Sequence, residues 1–253
     1  VIPARLGSTR LARKPLQLLG GRPLVLRVLE RVNQLGIGAV VVVATDSSEV
    51  QAIVERAGGR ALMTSPHHQT GTERVAEVAA RAEFARFEVI LNVQGDEPFL
   101  PRAAASGALD QVTAGAEVGT AAIPLGAEGA GDPNRVKVVM DRSGRALYFS
   151  RSPIPYHAAA LQESAGGYWQ HLGVYAYTRE ALARWVAAEP TPLERIERLE
   201  QLRALDLGLR VGVARIGGGT TGADGWEGGI DTAEDLARAE RRWLAFEIGE
   251  RTR

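Results

Sequence analysis

The chain has 253 residues, enough for one large α/β domain or two small ones, and a single domain spanning 1–253 is the simpler expectation. Thirty basic residues balance thirty acidic ones, so no overall field draws the chain to nucleic acid or a membrane, and charge-based recognition has to be local, in a cleft. The absence of cysteine excludes disulfides, thiolate nucleophiles and thiolate metal sites, leaving oxygen or imidazole to hold any metal. No apolar run approaches bilayer length, and the Val-Ile-Pro opening lacks a basic start followed by an apolar stretch, which predicts a cytoplasmic protein. That β-branched pair directly before a loop, without an initiator Met, predicts a first strand short at its beginning.

Short β-branched runs then alternate with amphipathic stretches. A helix is expected from Pro23 to about Leu35, since Pro suits a helix start and Gly36 a stop. It is followed by a strand at Ala39–Ala44, a helix at Ser47–Gly58 with Ser47 as a cap, a strand at Arg60–Met63, a helix at Gly71–Ala82 and a strand at Glu88–Val93. This order implies a mainly parallel sheet with helices on both faces. After a helix from Pro101 to about Ala116, the runs Val118–Ile123, Val136–Met140 and Arg145–Phe149 follow, the last two reading as an antiparallel hairpin turning at Ser143-Gly144. Two Gly-rich stretches, Arg151–Gly167 and Gly217–Gly229, predict a mobile excursion and a long loop, and a final helix is expected from Thr232 to about Ile248 with an Asp231-Thr232 cap. The four tryptophans fit core or interface, with Trp226 in the second loop a candidate lid contact.

Ligands of open parallel sheets sit beyond the carboxyl ends of the strands, which directs attention to the loops there. The first, Pro3 to Pro15, carries Arg5, Arg10, Arg13 and Lys14 around a Gly7-Ser8 segment. Fixed cations and exposed amides suit a triphosphate, on which charge grows as pyrophosphate leaves, although an ordinary solvated basic loop has the same composition. The loop is neither the GxGxxG dinucleotide fingerprint nor a phosphate-binding GxxxxGKS/T, which argues against a dehydrogenase or a P-loop ATPase. Val93-Gln94-Gly95-Asp96-Glu97-Pro98 follows an apolar strand and presents Asp96 at the sheet edge, where it could hold magnesium against phosphates or simply close a turn. Asp231 could reach the same ion or only cap its helix. His67 and His68 are adjacent, which is poor spacing for metal ligands and fits loop surface.

Taken in order, IPARLGSTRLARKPL, HHQTGTERVAE, NVQGDEP, NRVKVV with ALYFSRSPIP, HLGVYAY, PLERIERLEQLR and GIDTAEDL resemble the 3-deoxy-manno-octulosonate (Kdo) cytidylyltransferases, or CMP-Kdo synthetases, over nearly the whole chain. The CMP-sialic acid synthetases share the basic opening but not the later segments as a set. The resemblance implies a nucleotide-diphospho-sugar transferase-like α/β fold with a smaller mixed-sheet portion, a nucleotide-binding part at 1–116, a sugar-binding and dimerisation part at 117–253, and a homodimer. It implies transfer of CMP from CTP to the anomeric hydroxyl of Kdo with Mg2+, for lipopolysaccharide synthesis. Arg5, Ser8, Arg10 and Lys14 match the family's CTP loop, with Arg10 and Lys14 on the phosphates, and Arg74 and Gln94 match positions around the nucleotide. Asp96 and Asp231 match the magnesium carboxylates. Arg151, His171, Tyr175, Glu200 and Gln201 match the sugar-acid pocket, where a guanidinium suits the Kdo carboxylate. Sialic acid or 8-amino-Kdo as the acceptor, and a catalytically silent nucleotide-binding protein, are the alternatives. The chain departs from the family pattern at Ala12-Arg13, where Pro-Gly usually precedes the lysine, and in the length of Gly217–Gly229.

Overall fold

The alternation of β-branched runs and amphipathic stretches is realised as strands and helices, described in the computed structural model for residues 1–7, 10–37, 40–157, 167–217 and 228–251, with side chains as far as Leu244. These fall into two units, Val1–Phe84 with Asn92–Leu100 and Glu227–Arg253, and Ala85–Leu91 with Pro101–Trp226. The expected helix after Pro101 thus groups with the second unit, and the C-terminal helix with the first.

The first unit contains β1 (Ile2–Ala4), β2 (Leu18–Leu19), β3 (Arg22–Pro23), α1 (Leu24–Leu35), β4 (Val43–Thr45), α2 (Ser48–Arg56), β5 (Ala61–Met63) and α3 (Gly71–Ala80). Strands β1, β4 and β5 lie parallel in that order, with Ala4 opposite Thr45 and Thr45 opposite Met63, so the loops after all three emerge at one edge. Helix α1 buries Leu24, Val25, Val28, Leu29, Val32 and Leu35, a face of the width that covers a sheet, each side chain contributing about 1.5–3 kcal/mol. Pro23 stands just outside α1, and Gly36 closes it in the left-handed conformation at φ 62°. Ser47 caps α2 by accepting the Val50 N–H, and Thr70 and Glu73 form a reciprocal capping box on α3. The strand expected at Ala39–Ala44 begins later, at Val43.

Strand β6 (Val89–Val93) starts in the second unit and ends in the first, where the Val93 N–H donates to the Val1 carbonyl. The second unit continues with α4 (Arg102–Thr113), β7 (Val118–Leu125), α5 (Ala127–Ala130), β8 (Lys137–Met140), β9 (Ala146–Ser150), β10 (Tyr168–Thr178), α6 (Arg179–Ala187), α7 (Pro192–Glu197), α8 (Gln201–Asp206) and β11 (Val211–Arg215). Its mixed sheet runs β11-β7-β10-β8-β9, with β6 also pairing β10. β11 and β7 are parallel, whereas β7–β10, β10–β8 and β8–β9 are antiparallel. The β8–β9 hairpin turns at Ser143-Gly144 as its pattern predicts, with Gly144 at φ 87°.

Residues Pro192 to Asp206 form two short helices: α7 ends where Arg198 turns left-handed at φ 54°, donating its N–H back to the Glu194 carbonyl. Glu200 and Gln201 therefore stand at the start of α8, off the face that carries Glu194, Arg195 and Glu197. The last helix, α9 (Ala233–Arg251), returns to the first unit. Thr232 caps it, accepting the Asp235 N–H while the Asp235 carboxylate takes the Thr232 N–H at 2.8 Å. No described helix is long and apolar enough to cross a membrane. Most of the two Gly-rich stretches, at 158–166 and 218–227 with Trp226, lies outside the described residues.

Candidate functional site

In the first unit the loops beyond β1 and β6 and the start of α9 bring opposite charges together. The Lys14 ammonium bridges two carboxylates, at 2.6 Å from Asp96 Oδ2 and 2.8 Å from Asp231 Oδ1. Arg10 adds a second cation, its Nη2 3.0 Å from Asp231 Oδ2. The lysine and Asp96 side chains are each 19% exposed and Asp231 33%, so the cluster is sheltered but open to solvent. Burial works to lower the Lys14 pKa, but the Asp96 and Asp231 charges beside it outweigh that and hold it above the ordinary lysine value.

Backbone contacts fix this arrangement. The Ile230 N–H donates to the Asp96 carbonyl at 3.0 Å, tying the two acidic segments together. A Cβ on Gly95 would lie 2.4 Å from the Pro3 carbonyl oxygen, and one on Gly229 would lie 3.0 Å from the Asp96 carboxyl carbon. Glycine at both places is what lets β1, the Asp96 turn and the approach to Asp231 close on one another. Arg13, which stands where the related pattern has glycine, adopts a left-handed conformation at φ 53° and is anchored by two 2.7 Å hydrogen bonds to Glu49. The following turn, Lys14–Leu16, projects Lys14 onto Asp96.

The other expected nucleotide residues lie around this loop. Arg5 donates to the Gln69 carbonyl at 3.2 Å, and the Gln94 amide lies beside the start of α3, its Oε1 3.5 Å from where a Gly71 Cβ would be. Ser8 is outside the described residues. Arg74 is 1% exposed and gives its guanidinium to Asp46, at 2.9 Å, and to the Thr64 hydroxyl. Asp46 in turn accepts the Leu6 N–H at 3.3 Å, so Arg74 braces the cationic loop from beneath. Two carboxylates also fit a hard divalent cation, whose remaining positions phosphate oxygens and water can fill. Among the described residues no three His, Cys, Asp or Glu side chains gather into an all-protein metal cage. His68 instead pairs with Glu77 at 2.6 Å.

The second unit holds the residues expected for the sugar acid. Arg151 is oriented through three carbonyls, donating to those of Glu197 at 2.8 Å, Pro133 at 2.9 Å and Arg198 at 3.3 Å. The Glu197 carboxylate accepts the Ser150 hydroxyl and the Arg151 N–H. Beneath lies Lys137, fully buried, donating to the carbonyls of Asp132 and Arg151. Burial lowers its pKa and the Arg151 charge adds to that, against the opposing pull of Asp132 and Glu197.

On β10, the His171 Nε2 lies 3.0 Å from the Thr120 hydroxyl, which itself donates to the Val174 carbonyl at 2.8 Å. The hydroxyl proton being so used, His171 is the Nε2–H tautomer with Nδ1 as acceptor. Burial pushes its pKa down to about 3, leaving a neutral ring packed edge-on against Phe149. Tyr175 sits 5.3 Å from that ring, stacked on Tyr177 and edge-on to Trp185. Its phenol is pushed well up by burial, then by Tyr177 and Glu200. Gln201 is buried at the start of α8. Thr120, Lys137 and Glu197 were not singled out from the sequence; a lysine within the apolar run of β8 was the one local signal, since a lysine is seldom buried without dedicated acceptors.

A sequence model of the cytidylyltransferase family matches residues 1–211. The 3-deoxy-manno-octulosonate cytidylyltransferase of Gemmatimonas aurantiaca is 53% identical over 246 residues, covering 96% of this chain and 93% of the relative. The enzyme of the same name from Photorhabdus laumondii is 44% identical, covering 94% and 95%. Among solved structures, a CMP:2-keto-3-deoxy-manno-octonic acid synthetase complexed with CTP superposes with a TM-score of 0.85 at 35% identity, over 98% of this chain and 97% of the other. A 4-diphosphocytidyl-2C-methyl-D-erythritol synthase shares the fold, with a TM-score of 0.59 at 17% identity over 95% of each chain.

Proposed function

The chain belongs to the cytidylyltransferase family, among the 3-deoxy-manno-octulosonate cytidylyltransferases, and on that premise we propose that it transfers CMP from CTP to the anomeric hydroxyl of Kdo, releasing pyrophosphate and forming CMP-Kdo for lipopolysaccharide synthesis. The observation that carries the chemistry is the bridge from Lys14 to Asp96 and Asp231, with Arg10 on Asp231. It gathers at one strand edge both the cations a triphosphate needs and the oxygens a divalent cation needs.

In this reading the first unit takes CTP as part of a single cytidylyltransferase domain. Arg10 and Lys14 hold the phosphates, Arg5, Ser8 and Gln94 border the nucleotide, and Arg74 supports the loop through Asp46. Asp96 and Asp231 would hold magnesium, which offsets charge on the triphosphate oxygens and lowers the pKa of a coordinated hydroxyl. The second unit takes the sugar acid. Arg151 is assigned to its carboxylate, and the neutral His171, with Tyr175, Glu200 and Gln201, to its hydroxyls. The sugar hydroxyl gives up its proton to water as its oxygen forms a bond to the α-phosphorus, the bond from that phosphorus to the oxygen bridging to the β-phosphate breaks, and the cations stabilise the charge left on pyrophosphate. No protein nucleophile is required.

With a nucleoside triphosphate as co-substrate, the reaction belongs in the cytoplasm. Leu147, Leu193 and Ile196 are exposed apolar side chains of the second unit that a homodimer would cover, which the mass in solution by light scattering tests. The function is tested by pyrophosphate release with magnesium and CTP, comparing Kdo, 8-amino-Kdo and sialic acid, and then the other nucleoside triphosphates with Kdo. Release is expected with CTP and Kdo, and faster release with another acceptor or base would displace this assignment.

A further inference from the structure

Each of the three segments that carries a charge of the Lys14–Asp96–Asp231 cluster also touches one indole, that of Trp243. Just beyond Lys14, the β2–β3 turn brings Gly20 so near that a Cβ there would fall 2.2 Å from Trp243 Cδ1. Gly20 is at φ 56°, and its N–H donates to Glu240 Oε1 of α9 at 3.0 Å. Arg27 holds the same turn by its carbonyls, donating to Leu19 at 2.8 Å and to Gly20, while its guanidinium lies 4.1 Å over the indole. Three residues after Asp96, Phe99 packs on Trp243 with ring centroids 5.9 Å apart, and the neighbouring Arg242 guanidinium lies 4.2 Å over the Phe99 ring. The third segment is α9 itself, which starts two residues after Asp231 and carries the indole about 15 Å along its axis.

We propose that Trp243, gripped by Gly20, Arg27 and Phe99, is a positioning residue that fixes the separation of Asp96 and Asp231. A helix held only at its first turn, by the Ile230 N–H and the Asp235 cap, can pivot about that point. A second grip far along the axis removes the pivot, and because Phe99 shares the grip, the Asp96 turn and the Asp231 helix move together or not at all. Residues that orient metal carboxylates from behind characteristically change metal affinity about 10–100-fold when lost. This inference rests on the assignment of Asp96 and Asp231 to the metal.

The test is calorimetric and involves no turnover. Binding of the α,β-methylene analogue of CTP is measured with and without magnesium, and the ratio of the metal-free dissociation constant to that with magnesium reports how well the carboxylates engage the metal. In Trp243→Ala the ratio is expected to fall about tenfold while metal-free binding, which needs only the cationic loop, keeps its wild-type value. Trp243→Phe, which retains a ring for Arg27 and Phe99, restores most of the ratio. Phe99→Leu, which keeps apolar bulk, lowers it in the same direction and stands in for Trp243→Ala should that variant not fold. A wild-type ratio in Trp243→Ala or in Phe99→Leu overturns the positioning role. A wild-type ratio in Asp96→Asn overturns instead the metal assignment on which it rests.

Discussion

Replacing Lys14 with Met removes the cation between two carboxylates and leaves a side chain of similar length. Hydrogen bonds to charged groups contribute about 1.5–3 kcal/mol each, and Lys14 makes two, at 2.6 and 2.8 Å. Partial exposure of Asp96 and Asp231 lets water recover much of that loss, while Arg10 still neutralises part of the Asp231 charge. We therefore expect a net destabilisation of about 2 kcal/mol, which lowers Tm by about 4–8 °C in a chain of this size. A divalent cation can take over the role of the lost ammonium. Magnesium without nucleotide should thus raise the Tm of the variant by several degrees more than that of the wild type, where Lys14 competes for the same oxygens. Thermal denaturation followed by circular dichroism, with and without magnesium, measures both effects. An equal magnesium shift in the two proteins would refute the view that ammonium and metal share one pair of carboxylates.

The pH dependence of stability carries a signature of His171. Its folded pKa, about 3, lies below the ordinary value of about 6.5. Between those values the unfolded chain binds a proton that the folded protein does not, so stability falls as pH falls from about 6.5 towards 3, at up to about 1.4 kcal/mol per pH unit. Denaturant unfolding should show this slope in the wild type and a slope smaller by nearly that amount in His171→Gln; identical slopes would place the ionisation elsewhere. Arg203→Met should lower stability by about 3–5 kcal/mol, because it leaves Glu194 buried and without the guanidinium now 2.6 Å away, and a loss under 1 kcal/mol by the same assay would count against this. Arg151→Ala is expected to raise the KM for Kdo at least tenfold and the KM for CTP little, whereas equal rises in initial-rate assays would take Arg151 out of the sugar site.

The sequence made the cationic loop and Asp96 conspicuous because both depend on local pattern, a cluster of basic residues after a β-branched pair and an acidic turn after an apolar strand. The α1 boundaries and the β8–β9 hairpin were legible for the same reason: Gly36 and Ser143-Gly144 encode their own backbone conformations. What escaped local reading is made by long-range partners. Arg74, expected near the nucleotide, owes its position to Asp46 and Thr64, which lie 28 and 10 residues away in sequence and take its guanidinium. The break at Arg198 has no helix-breaking residue to announce it, and its left-handed backbone is held by contacts with the rest of the second unit, including the bond from Arg151 to its carbonyl. The β2–β3 turn could have been found, since Gly20-Gly21 between Leu18-Leu19 and Arg22-Pro23 is a two-residue hairpin signal.

The bond from Lys14 to Asp231 spans 217 positions of sequence, and this sets an order of events during synthesis. Lys14 and Asp96 leave the ribosome early, while Asp231 follows 135 residues after Asp96, a delay of roughly 7–27 s at typical elongation rates. Through that interval the nascent first unit lacks both the second carboxylate and the helix that holds it. The site is assembled last, so a chain interrupted anywhere in the second unit carries the cations for a triphosphate but not the complete pair of carboxylates.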